Sequence, residues 1–225
     1  MKKESMVGRR LYAWIIDVFV LFILIFMFDG LVSLPIFESV TDINVVQASY
    51  IEHSEEYNLI QEEYNIYYYD DNGERIYNED VTEETKQLFL NDSRILELNE
   101  KLIKEQEYIL INFILRIMLS IFLAHFISKF ILGLLIGKGR SFGKYTAKIC
   151  LVDDNYNYAK WYIHGLRCFL DLIFNVYLAI LSLGMVPLIN LLITINQKDN
   201  KSICDLICKT QIVDCKIPVG IKYKK

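Results

Sequence analysis

Glycine and cysteine are scarce in this chain, with ten and five of 225 residues. So few glycines exclude a collagen-like repeat, and five scattered cysteines do not make a disulfide scaffold. An apolar content of 53% excludes intrinsic disorder. Catalytic signatures are missing as well: there is no nucleophile–base constellation and no metalloprotease motif. Gly137-Lys-Gly-Arg-Ser-Phe-Gly-Lys144 fails as a phosphate loop, because Gly143-Lys144 is followed by Tyr145 rather than Ser or Thr. Cys204 and Cys208 stand one helical turn apart with Cys215 nearby, but a metal centre needs further well-placed ligands. The chain is therefore expected not to be an enzyme, to hold no metal or cofactor and to bind no nucleic acid.

What the chain has is segregated charge. The formal net charge is −4, yet residues 38–108 carry nineteen Asp/Glu against five Lys/Arg, a net −14. The remainder is +10 and strongly apolar. A membrane-spanning helix needs about 20 mostly apolar residues, since each rises about 1.5 Å through a core about 30 Å thick. Residues 11–28, broken only by Asp17, residues 109–136 and residues 161–195 approach or exceed that length. The first has a basic front but no small-residue cleavage site, so it reads as an uncleaved anchor rather than a signal peptide.

Lys and Arg counts orient the chain. Residues 1–10 carry four basic side chains against one acid, 137–160 five against two, and the tail from 196 seven against three. All three are expected on the cytoplasmic side, with 38–108 outside. Residues 161–195 must then cross twice, and Gly184 and Pro187 mark the tip of a short helical hairpin. The expected fold is an α-helical multi-pass membrane protein with about four membrane helices, the last two a hairpin, and a small α+β acidic extracellular insertion. Its parts are 1–37, the cytoplasmic N-terminus and first helix; 38–108, the insertion; 109–217, the remaining helices and strands; and 218–225, a basic tail.

Within the insertion, 45–61 has helical spacing. Residues 66–69 and 74–77 flank Asp70-Asp71-Asn72-Gly73 as a β-hairpin. Thr82 or Asp80 is placed to cap a short helix through Leu90, and Ser93 another that runs into the second crossing. Eight tyrosines in this segment either pack a small core or offer a contact surface to an extracellular protein. On the cytoplasmic side, 147–152 and 210–213 read as short strands that pair with each other.

Charges inside apolar stretches cost several kcal/mol unless paired or hydrated. Asp17 and Lys129 sit at similar depth, with His125 one turn deeper. His164, Arg167, Asp171 and Asn175 recur at intervals of three and four, so they share one side of a helix, and Arg167 and Asp171 are spaced to pair. Asp17, His125, Lys129, Arg167, Asp171 and Asn175 are expected to form one polar cluster in the cytoplasmic half. It is either a static salt-bridge network or a partly hydrated site for a cation or protons. Arg116 stands apart in the outer half, and Gly133-x-x-x-Gly137 permits close helix approach.

The chain resembles the RDD family of bacterial integral membrane proteins. Arg10-Leu-Tyr-Ala-Trp-Ile-Ile-Asp17 matches that family's arginine and aspartate in the first membrane helix, with Arg9 an extra basic residue. Residues 139–153 resemble its glycine–lysine loop and following strand. Arg167 fits the arginine opening its last apolar region, and Ser202-Ile-Cys-Asp-Leu-Ile-Cys-Lys-Thr210 matches its terminal aspartate, Asp205. Cys204 stands where the family commonly has histidine, and 38–108 has no counterpart. The resemblance implies a bacterial plasma-membrane protein that transports a cation or small solute, including cation/proton exchange.

On that reading Asp17 binds the cation or proton. Arg10 tunes or pairs with it, and Asp205 holds the cytoplasmic segment against the site. Partners are the lipid bilayer and a second copy of the chain. The rival reading is a non-transporting assembly, envelope or ligand-sensing module that acts through the extracellular segment. The orientation has a direct check. A cysteine introduced by Lys222→Cys is expected to stay unlabelled by an impermeant external thiol reagent until the membrane is opened; labelling of intact cells rejects the topology.

Overall fold

Long runs free of proline set the first and longest elements of the structure, a computed structural model that describes residues 3–69, 74–197 and 200–215. The expected 70–73 turn and the 218–225 tail lie outside the described residues. Helix α1 (Lys3–Phe28) widens into a π-helical turn (Asp29–Ser33) and continues as α2 (Leu34–Val40), where Pro35 occupies the first turn, a position that requires no amide hydrogen. Then follow α3 (Ile43–Glu63), β1 (Tyr67–Tyr69), β2 (Arg75–Tyr77), α4 (Glu83–Leu90) and α5 (Ser93–His125). A second π-helical segment, Phe126–Ile131, leads into α6 (Leu132–Ile136). Next come α7 (Phe142–Thr146), β3 (Ile149–Asp153) and α8 (Trp161–Leu172). A third, Ile173–Tyr177, joins α8 to α9 (Leu178–Leu181), and α10 (Met185–Asn196), α11 (Ile203–Ile207) and β4 (Thr210–Asp214) complete the chain.

Among the described residues, three helical stretches are long and apolar enough to cross a membrane: Val7–Val40, Ser93–Ile136 and Trp161–Leu181. Each contains one of the π-helical segments. Helix α10 is apolar but has only twelve residues, about 18 Å of rise against a core of about 30 Å. Gly184, at a φ of +86°, makes the tight turn that folds α10 back on α9. Gly184 thus stands at the turn between α9 and α10, and α10 is shorter than a full crossing.

The chain divides into two units, Met1–Leu31 with Met118–Lys225, and Val32–Ile117. The second unit is wider than the 38–108 insertion expected from charge. Its core is Ile60, Ile66, Phe89, Ile95 and Leu98, with Tyr57, Tyr64, Tyr67 and Val81 packed against it. Tyr57 and Tyr64 meet the Phe89 ring edge-on at 5.8 and 5.6 Å. Strands β1 and β2 pair antiparallel, Tyr67 opposite Tyr77 and Tyr69 opposite Arg75. Of the eight tyrosines, Tyr68, Tyr69, Tyr77 and Tyr108 are exposed, so the aromatic set serves core and surface alike. Thr82 caps α4, its hydroxyl accepting from Thr85 N, with Glu83 and Glu84 on the positive end of the helix dipole. Ser93 was the expected cap of α5; the side chain that accepts there is Asp92, whose Oδ1 takes Arg94 N at 2.8 Å.

In the first unit, β3 and β4 pair antiparallel from Ile149 opposite Asp214 to Asp153 opposite Thr210. This realises the pairing expected of 147–152 and 210–213. Ala13, Ala147 and Ile149 form a buried cluster with Ile212, which seats the sheet on α1. Helix α7 packs on α1 at Gly143, where a Cβ would fall on the Ala13 carbonyl and 2.8 Å from Asp17 Oδ1. Ile95→Ala, at a fully buried position of the second unit, is expected to cost about 2–5 kcal/mol. Amide exchange in α3 and α4 should speed accordingly.

Candidate functional site

Asp17, Asp171 and Asp205, in the first unit, each meet a basic side chain from a distant part of the chain. Asp17, buried in α1, accepts Lys129 Nζ at 2.6 Å, Ser141 Oγ at 2.6 Å and Gly143 N at 2.8 Å. These partners come from the second π-helical segment and the start of α7. Gly143 serves here because its missing side chain lets the amide reach the carboxylate. The depth match between Asp17 and Lys129 is thus a contact, and the carboxylate has little accepting capacity left.

Asp205 is fully buried at the start of α11. It forms a capping box with Ser202: Asp205 N donates to Ser202 Oγ, and Ser202 N donates to Asp205 Oδ2. Arg167 places Nε and Nη2 on Asp205 Oδ1, both at 2.9 Å, and Thr210 Oγ1 adds a third bond. Arg10 Nη1 lies 3.8 Å from Oδ2 and also donates to the carbonyl of Asn200, while Nη2 donates to Ile212 O. Burial pushes the Asp205 carboxyl up, but Arg167 and Arg10, with the Arg167 and Ser202 hydrogen bonds, hold it below the ordinary carboxylate range. The i, i+4 spacing of Arg167 and Asp171 suggested a pair; the guanidinium instead bonds Asp205, the more buried carboxylate, to which it donates from two nitrogens.

Asp171 goes to His125, with Nε2 3.2 Å from Oδ2, and accepts Asn175 Nδ2 at 2.7 Å. Asn190 Nδ2 donates to Asn175 Oδ1, and Ile203 N donates to Asn190 Oδ1. A hydrogen-bonded line thus runs from α5 through α8 and α10 to α11. The Asp171 side chain is 26% exposed, against 6% for Asp17 and 0% for Asp205. His164 points elsewhere: its Nε2 meets Lys129 O at 3.1 Å, its ring stacks on Phe130, and Gly133 lies so close that a Cβ there would overlap the imidazole.

These groups line one cavity of about 690 Å³ in the first unit. The polar lining includes Arg10, Asp17, His125, Lys129, Arg167, Asp171 and Asp205, together with Lys144 and Asn190. All seven residues marked from sequence therefore meet in one place. The walls are apolar, Trp14 and Val18 from α1 and Leu188 and Leu191 from α10 among them. Arg116 stays apart, as expected, lining a second cavity of about 310 Å³ within the other unit, with its guanidinium over Phe113.

Sequence reasoning missed several participants. Arg9 ties three segments: Nη1 bonds Asp214 at 2.7 Å, and Nε and Nη2 donate to Ala147 O. Ser141 lies within the loop dismissed as a phosphate site. Asn190 is a single amide in a charge-free run, the kind of isolated polar residue that signals an interior partner. Lys144 was read as a loop lysine and not as part of the polar cluster. Among the described residues, no group of three or more His, Cys, Asp or Glu is placed to hold a metal ion. Burial pushes the Cys204 thiol up to about 12, and burial with Cys215 alongside does the same to Cys150.

If the Asp17–Lys129 pair is a clamp, breaking one side leaves a buried charge. Asp17→Asn is expected to cost about 3–5 kcal/mol, read as loss of thermal stability in detergent. Asp17→Asn with Lys129→Met should recover part of that. Compared with protein-family models, with curated proteins and with solved structures, the chain matches none.

Proposed function

We propose that this chain is an RDD-like, multi-pass protein of a bacterial plasma membrane, which moves a small solute through the cavity of its first unit in exchange for protons. The observation that carries the reading is how the carboxylates are committed. Of the three carboxylates that line the cavity, Asp17 and Asp205 are almost wholly buried and multiply bonded, whereas Asp171 is the most exposed and lies beside His125. Histidine is the side chain whose ordinary titration falls nearest neutral pH. His125 and Asp171 are therefore the proton-exchanging pair, and the Asn175–Asn190 line holds Asp171 in place. Asp17–Lys129 and Arg10–Asp205–Arg167 hold the helices around the cavity. A metal cation is the less suited solute, since the lining carries Arg10, Lys129, Lys144 and Arg167 against three acids.

The pairing of β3 with β4, and of Arg9 with Ala147 O and Asp214, supports the topology. It gathers the three basic segments on one side, which the excess of Lys and Arg makes cytoplasmic. α8 and α9 then run outward and α10 returns, its short length met by local thinning of the bilayer. A second reading, a ligand-sensing or assembly module, is favoured by the exposed Tyr68, Tyr69, Ile76 and Tyr77 on the acidic unit; crosslinking from these residues to a specific external protein would support it.

Reconstituted vesicles test the transport reading. A pH gradient should drive flux of at least one solute from a panel of Na⁺, K⁺ and small organic ions, and Asp171→Asn should abolish it. Flux indistinguishable from empty vesicles across the panel rejects transport.

A further inference from the structure

The three acids of the cavity lining are all engaged, Asp17 by Lys129, Asp171 by His125 and Asp205 by Arg10 and Arg167. That leaves one cation over. Among the described residues the Lys144 side chain makes no hydrogen bond and no ion pair, and Asp17, the acid that attracts it, is already held by Lys129. Its position along the membrane axis is fixed by its neighbour: Gly143 packs on Ala13. Ala13 is six residues into the stretch Val7–Val40, about 9 Å along the helix. Lys144 therefore neighbours the end of an apolar stretch that carries the basic residues Arg9 and Arg10.

Burial, with Arg167 and Lys129 close by, draws the Lys144 ammonium down to about 8. This is an electrostatic demand for an anion. Above it rise walls that want hydrocarbon: Trp14, Val18, Leu188 and Leu191 line the cavity and are between 39% and 52% exposed. A small inorganic anion would satisfy Lys144 and leave these walls bare. An apolar helix of a second copy would cover the walls and bury Lys144 without a partner, which is costly. One molecule with an anionic head and a hydrocarbon chain meets both requirements.

We propose that one wall of this cavity binds an anionic lipid, with the headgroup on Lys144 and an acyl chain along Trp14, Val18 and Leu188. A basic pocket between membrane helices is the kind of place where anionic headgroups bind. The proposal rests on the composition of the cavity and not on transport: a protein that moves no solute would still pass the test below, and a transporter would still fail it.

Trp14 supplies the probe, because the chain has only two tryptophans and Trp161→Phe leaves one. The full chain carrying Trp161→Phe is reconstituted in phosphatidylcholine vesicles containing increasing brominated phosphatidylglycerol or brominated phosphatidylcholine. Trp14 fluorescence is then read as bromine quenches it. Half-quenching is expected at about fivefold lower mole fraction of the anionic lipid, the factor that about 1 kcal/mol for one lysine implies. Lys144→Gln should bring the ratio to about one, and Lys144→Arg should keep it. Equal quenching by the two lipids overturns the proposal, as does a ratio unchanged in Lys144→Gln. Quenching by neither lipid overturns it in favour of a second copy seated on the face. Loss of the preference in millimolar inorganic phosphate at constant ionic strength gives the site to a free anion instead. The two-lipid comparison needs no change at Lys144, so it decides the matter even if Lys144→Gln does not reconstitute.

Discussion

A carboxylate in apolar surroundings must be neutralised where it stands. Desolvation of a buried ion costs several kcal/mol, and only a close, well-bonded counter-ion offsets it. Asp17 and Asp205 meet this condition with cations 112 and 38 residues away in the chain, and Asp171 meets the imidazole of His125, 46 residues away. Each pair is therefore also a statement of where two segments lie. Asp17 fixes α1 against the loop that opens α7. Asp171 fixes α8 against the end of α5. Asp205 draws α11 onto α8 and, through Arg10, onto α1.

Apolar packing alone would hold this unit loosely. Its buried hydrophobic clusters are small, Ala13 with Ala147 and Ile149, and Cys150 with Val152 and Val213. In the window of the first candidate span only 6% of residues are buried, and large side chains such as Phe19, Phe22 and Phe26 are exposed. In water such a surface would associate; in a bilayer, lipid is its solvent. Where lipid tails are as apolar as the helix surfaces, packing between helices gains little from the hydrophobic effect. Specificity then falls to the polar contacts, which explains why so many of them converge on Asp17 and Asp205.

Much of this was legible in the sequence wherever a local rule applied. The strands at 147–152 and 210–213, the hairpin arms at 66–69 and 74–77 and the Thr82 cap follow from β-rich runs and turn and cap chemistry. Equal depth from one face brought Asp17 and Lys129 to the same level, and they touch. The misses share a cause. Spacing of three and four residues tells which side chains share a helix face, but not which distant group competes for them, so Arg167 looked like the partner of Asp171. Gly143 and Ser141 act through close approach to another element, which no periodicity encodes. The π-helical segments leave no trace in a search built on 3.6 residues per turn. Lys144 was passed over because its meaning lies in what surrounds it, a lining whose acids are already taken.

The Arg10–Asp205–Arg167 contact also sets an order of events during synthesis. Arg10 is made 195 residues before Asp205, and Arg167 38 residues before it. At about 5–20 residues per second the first arginine waits roughly ten to forty seconds for its counter-ion. Until then α1 carries a cation with no carboxylate from α11 to meet it, and α8 soon carries another. The contact therefore closes only once Asp205 has been made, and a chain stopped before residue 205 leaves both guanidinium groups without that carboxylate inside α1 and α8.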